Sequence, residues 1–152
     1  MCLEHEIAYM RIILSLLLSL LTTPLFGQAG GKGIYCINQN KSSLVQDRWV
    51  EFEGSTAVMI TDHMDKDKVV SVYSEPLDYF TSASSIRWYT DAFSWDLDRK
   101  TLELRRIYVA TGNTIDFACE VFQSDSEFRR KQREIRGLMQ SEYNERSRGN
   151  KI

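Results

Sequence analysis

The sequence predicts an all-β domain, a small antiparallel meander closing into a barrel or curled sheet, followed by a C-terminal α-helix. Three observations carry that expectation. Short segments of alternating apolar and polar residues recur between Gly33 and Val121, roughly 8–15 residues apart. Turn-forming clusters separate them, with no amphipathic helical period in between. Cys36 and Cys119 fall on the first and last of these segments, where a bond between them would join the two ends of the sheet and remove its open edges.

The first four candidate strands are residues 33–37, 48–53, 57–61 and 69–73, with Gly54-Ser55 and the acidic stretch 62–68 as turns. Residues 85–89 form the next. Phe93-Ser94-Trp95-Asp96-Leu97 then alternates without a fault, and Asp98-Arg99-Lys100 turns the chain. Leu102 and Leu104 alternate with Thr101, Glu103 and Arg105. After Thr111-Gly112-Asn113, the residues Ile115, Phe117, Cys119 and Val121 share one face, with Asp116 and Glu120 on the other. Ser124-Asp125-Ser126-Glu127 is a capping box that opens the helix. Phe128, Ile135, Leu138, Met139 and Tyr143 form its thin apolar stripe, Gly137 weakens its middle, and beyond Asn144 the composition is that of a frayed end. A two-sheet sandwich with the same disulfide is the alternative architecture.

The front of the chain has a different character. Residues 12–21 (IILSLLLSLL) are apolar, Arg11 precedes them and Pro24 ends the run. Even extended to Phe26, this is shorter than the about 20 residues a membrane-spanning helix needs. Gly27-Gln28-Ala29 supplies small residues for signal-peptidase cleavage, so residues 1–29 read as a secretory signal peptide, with a retained anchor as the alternative. Glu4 and Glu6 do not suit an export signal, and Met10-Arg11 is a better start; Cys2 would then drop out. The expected organisation is therefore a leader (1–29), an exported β-domain (30–123) and a basic helix and tail (124–152). Periplasmic or secreted localisation follows, and with it a Cys36–Cys119 disulfide. Chain-entropy arithmetic puts the benefit of that bond near ~4.5 kcal/mol as an upper figure.

Composition narrows function by exclusion. The 152 residues carry a net charge of −2, which argues against a nucleic-acid partner. His63 is the one histidine after the leader, so neither a catalytic triad nor a histidine metal cluster can form around it. Asp62, Asp65 and Asp67 offer oxygen ligands, but the intervening lysines read as an ordinary charged turn. Asp96 and Asp98 share a strand face without a partner acid, base or metal in sequence, and the Ser82, Ser84, Ser85 loop has no nucleophile elbow. No metal or cofactor is implied. Trp49, Trp88 and Trp95 read as core. Arg87 and Tyr89 point opposite to Ile86 and Trp88; with Arg105 they form a candidate binding patch. Arg129, Arg130, Lys131, Arg133 and Arg136 surround the helix stripe. That cluster reads as a solvated face, as a surface for anionic membrane, or as a dock onto the acidic domain.

The leader, the early Tyr35-Cys36, the hairpin Asp98-Arg99-Lys100-Thr101-Leu102-Glu103-Leu104 and the late Ala118-Cys119-Glu120 together resemble small, uncharacterised exported bacterial β-domain proteins. The Ser82-Ala83-Ser84-Ser85-Ile86-Arg87-Trp88-Tyr89 segment also resembles the Ser-rich loop and Trp-containing strand of periplasmic c-type lysozyme inhibitors, which are disulfide-closed β-barrels. The glycines and the lysine of that loop region are absent here. The expected function is a non-enzymatic binding or envelope-associated module for a protein or envelope component. Inhibition of a secreted hydrolase such as lysozyme, or an unrecognised hydrolase using Asp96 or Asp98, are the alternatives.

Overall fold

A computed structural model describes residues 32–40 and 46–149. The expected signal peptide, Cys2 and the start at Met10 lie outside the described residues. Nine strands precede one helix: β1 (Lys32–Asn38), β2 (Arg48–Glu53), β3 (Thr56–Asp65), β4 (Lys68–Tyr73), β5 (Leu77–Thr81), β6 (Ser85–Tyr89), β7 (Phe93–Asp98), β8 (Glu103–Tyr108), β9 (Thr114–Phe122) and α1 (Asp125–Gly149). All pairings are antiparallel. Eight strands close a ring in the order β1, β2, β3, β5, β6, β7, β8, β9 and back to β1. The ninth, β4, extends β3 as a hairpin outside the ring.

The seam of the barrel is the β1–β9 pair, and Cys36 lies directly opposite Cys119 across it. Their sulfurs are bonded at 2.03 Å. The expected barrel, its disulfide and the terminal helix are therefore present.

Three strand segments differ from the sequence expectation. Residues 77–81 form β5, although Tyr79 and Phe80 are adjacent and spoil the alternation. Asp62–Asp65 extend β3 instead of turning, so the chain reverses only at Lys66-Asp67. Lys66 takes the left-handed conformation there (φ 56°), as Gly54 does between β2 and β3 (φ 58°). Leu102, expected within a strand, sits before β8 at φ 58°. A branched residue in that region is strained by about 1–2 kcal/mol. Its N–H donates to the Asp98 carbonyl (3.0 Å) and its carbonyl accepts from the Cys119 N–H (2.8 Å), while its side chain packs on the core.

Strand alternation sorts side chains into two apolar clusters. Inside the barrel lie Ile34, Cys36, Val50, Phe52, Ala57, Ile86, Trp88, Trp95, Leu97, Leu104 and Phe117. Trp88 and Trp95 stack with ring centres 6.0 Å apart, and the Trp88 indole N–H points at the Met59 sulfur (3.3 Å). The interior is filled by side chains, as expected for a barrel this narrow. Trp49 is core too, but not barrel core. It faces outward with Tyr35, Ile60 and Phe122, and Phe128 of α1 closes over them.

The helix is thus part of the fold and not an appendage. Ser124 caps it, its hydroxyl accepting from the Glu127 N–H (3.3 Å) and its carbonyl from the Phe128 N–H (3.1 Å). The expected fraying after Asn144 does not occur; α1 continues to Gly149.

Candidate functional site

The helix cluster is divided by how α1 docks. Arg129 faces the barrel and grips Glu51 with two bonds, 2.6 and 2.7 Å. Burial opposes its charge, but Glu51 and Asp125 outweigh that and raise its pKa. Arg136 donates to the Val69 carbonyl (3.0 Å), and its Nε stands 4.0 Å from Asp62. Gln140 closes the other end of the dock, accepting from the Val69 N–H (3.1 Å) and donating to the Asp67 carbonyl (2.8 Å). Arg130 and Arg133 stay exposed, and Lys131 pairs with Glu134 along the helix. Of the three sequence readings, docking onto the acidic domain describes Arg129 and Arg136. The apolar residues Phe128 and Ile135, which a membrane-surface helix would need, are turned into the barrel wall.

Asp62, expected in a charged turn, is instead a buried carboxylate on β3, 6% exposed. It accepts from the Trp49 indole N–H (3.0 Å) and from the Ser71 hydroxyl. A buried carboxylate needs such partners, and here they hold the outer face of three strands in one arrangement. The overlooked signal is the extended β3 alternation: Val58, Ile60 and Asp62 share the face that looks at Trp49.

Next to this dock, α1 and the barrel wall enclose a crevice of about 400 Å³. Its floor is the stacked pair Tyr35 and Trp49, ring centres 4.1 Å apart. Ile135, Leu138 and Met139 of α1 form an apolar wall, and Asp47, Asp62 and Glu142 present three carboxylates. Tyr35 donates its hydroxyl to Asp47 (2.8 Å), which also accepts from the Asn38 N–H (2.9 Å). Burial first, then Asp47, pushes the Tyr35 phenol above its ordinary pKa, so it remains a donor. Sequence reading misses this site because its halves are far apart in the chain and only helix docking brings them together.

The expected patch lies on the outer face of β6 to β9. Arg87, Asp96, Arg105 and Asp116 form one cross-strand row over β6 to β9, alternating in sign. Arg87 pairs with Asp96 and Arg105 with Asp116, each at 2.9 Å. The row borders a groove of about 260 Å³ that also takes in Ser84, Ser85, Asp98 and Glu103. Tyr89 lies outside this groove and meets Phe80 instead, ring centres 6.2 Å apart; both are mostly exposed (52% and 63%). The patch is therefore two features, a charge row and an aromatic pair.

The acids of the hydrolase alternative are engaged. Asp96 is bound by Arg87, and Asp98 accepts from the backbone N–H groups of Thr101 and Lys100, which hold its carboxyl below the usual range. A general acid requires the opposite shift. Among the described residues, no three His, Cys, Asp or Glu side chains gather as a metal site, and no helix is long and apolar enough to cross a membrane. Comparison with known families, curated proteins and solved structures finds no match.

Proposed function

We propose that this chain is an exported, non-enzymatic binding module, and that its ligand site is the crevice between α1 and the barrel. The observation that carries this reading is the combination of an aromatic floor, an apolar wall and three carboxylates around about 400 Å³. That is a pocket of ligand-binding size with a few convergent polar groups. Its chemistry suits an organic cation with an apolar body: carboxylates and aromatic rings attract an ammonium group, and the helix wall accepts a chain. Arg136 offsets Asp62, Asp47 is bonded by Tyr35 and the Asn38 N–H, and Glu142 stands 3.9 Å from Arg146 in an exposed pair, so a guest would share Asp47 and Glu142 with these partners. Export rests on residues 1–29, and the disulfide is compatible with it.

Calorimetric titration with n-hexylammonium and with hexanoate tests the proposal. The ammonium should bind, the carboxylate should not, and Glu142→Gln should weaken the ammonium roughly tenfold, the loss of one charge-assisted hydrogen bond. Equal response to both probes, or to neither, would remove the crevice as the site.

A second reading is favoured by the exposed Phe80–Tyr89 pair beside Arg87. Aromatic and arginine side chains concentrate binding energy at protein interfaces. On this reading the β6–β8 face docks a protein partner, a secreted hydrolase such as lysozyme among them. Pull-down from envelope extracts should then depend on Arg87 and Tyr89; an unchanged pull-down from the Tyr89→Ala variant would exclude it.

A further inference from the structure

Both carboxylates on the barrel side of the crevice already accept hydrogen bonds at each of their oxygens. Asp47 takes the Tyr35 hydroxyl at Oδ2 (2.8 Å) and the Asn38 N–H at Oδ1 (2.9 Å). Asp62 takes the Trp49 indole N–H at Oδ2 (3.0 Å) and the Ser71 hydroxyl at Oδ1. Two of these donors, Tyr35 and Trp49, are lining residues themselves. Glu142, the third carboxylate, stands 3.9 Å from Arg146 at the exposed rim.

A carboxylate bonded in this way keeps its negative field while about half of its acceptor sites are filled. Charge and donor capacity in the guest are therefore not equally welcome. A primary ammonium brings three N–H donors, each of which gives up water on entry and requires an acceptor. A quaternary ammonium brings the same charge and no donor, so none is left unpaired. Its methyl groups need apolar contact instead. Ile135, Leu138 and the Met139 thioether supply that contact along one side of α1. Leu138 is 53% exposed, so a guest that covers it also removes apolar surface from water. Tyr35 and Trp49 are nearly buried (6% and 1% exposed) and contribute the negative field of their rings more than contact area.

On the reading that this crevice is the ligand site, we propose that its guest is a soluble quaternary ammonium compound, a trimethylated nitrogen on an apolar body. Its head takes the field of the carboxylates without competing for their bonded oxygens. Arg136 offsets Asp62 (4.0 Å), which draws the head toward Asp47 and Glu142. The source is a free solute and not a lipid head group, because Phe128 and Ile135, which would enter a bilayer, are turned into the barrel wall.

Calorimetric titration of the protein with n-hexyltrimethylammonium and with n-hexylammonium tests this at constant chain length. The quaternary probe should bind roughly tenfold more tightly, about the worth of one hydrogen bond. Equal affinities, or a preference for hexylammonium, overturn the quaternary assignment and leave the crevice standing as a cation site. Binding of neither removes both. Tyr35→Phe releases one acceptor of Asp47, so hexylammonium should gain and the ratio between the probes should fall. An unchanged ratio in that variant would show that occupied oxygens do not set the preference, and the inference falls with it. Phosphatidylcholine vesicles carry the same head on a bilayer, and the protein should stay in the supernatant when they are sedimented. Pelleting that n-hexyltrimethylammonium reverses would overturn the soluble source.

Discussion

The ring of Phe128 lies on the bare backbone of Gly33, in the space where any side chain at that position would stand. Strand and helix meet here without an intervening layer. Gly33→Ala should therefore destabilise by about 1–3 kcal/mol through overpacking. Phe128→Ala should cost about 3–5 kcal/mol for the lost ring. The two changes should not add: with the ring gone, the alanine at 33 has room, so its cost should fall to a few tenths. Urea unfolding of both single variants and the double variant measures the coupling. Additive costs would mean that the helix is not held by this contact.

Asp62 supplies the second anchor. Asp62→Leu removes the acceptor of the Trp49 indole and of Ser71 and leaves Arg136 facing no charge. Leaving the buried Trp49 indole N–H without an acceptor costs about 1–3 kcal/mol, and the half-exposed Arg136 adds little to that. Asp62→Asn retains one acceptor oxygen and should lose clearly less. Denaturant midpoints separate the two, and equal losses would show that the acceptor geometry contributes nothing.

How much is legible in the sequence differs between the barrel and the site. The barrel follows from local alternation: in Phe93–Leu97 and in Ile115–Val121 each second residue is apolar, and the turns between strands carry Gly54, Gly112 or an Asp98 cap. Both cysteines declare the seam because they lie on its two strands. The crevice has no local signature. Tyr35 and Trp49 face outward, where the strand pattern alone gives solvent, and only the docking of α1 buries them. Asp62 reads as a turn residue for the same reason, since a charged residue between Thr61 and His63 has no visible partner until Trp49 and Ser71 arrive from neighbouring strands. Arg87 and Arg105 lie on the outer face, as alternation predicts, yet the alternating row that links them through Asp96 depends on register, which composition does not reveal.

The seam bond should contribute chiefly through the unfolded chain. Cys36 and Cys119 are 83 residues apart, and a loop of that size gives about 4.5 kcal/mol in the chain-entropy account. The backbone pairing of β1 with β9 does not require it. Replacing both cysteines by alanine should thus lower stability by up to that amount while the far-ultraviolet dichroism of the folded state is retained. A doubly substituted chain that is fully unfolded at low temperature would instead make the bond a condition of folding.

Gly137 lies on an exposed part of α1, and a methyl group there would meet nothing within 4 Å. Gly137→Ala should stabilise the protein by about 1 kcal/mol, through helix propensity and a less free unfolded chain. A measured loss would show that this position touches something on the docked face.

Tyr35 makes the stability of the crevice floor sensitive to alkali. Burial and Asp47 raise its pKa in the folded state above the unfolded value near 10. A raised pKa means that the folded protein holds the phenolic proton more tightly than the unfolded chain does. Its contribution is whole below about pH 10 and is lost as pH rises from there toward the folded value. At neutral pH, Tyr35→Phe should be the less stable form by about 1 kcal/mol, having lost the hydrogen bond to Asp47. Above pH 10 the unfolded wild type gains by ionising while the variant has nothing to ionise, so the gap between them should narrow. Denaturant midpoints of both proteins across pH 7–11 measure it, and a constant gap over that range would mean that the phenol titrates alike in the two states.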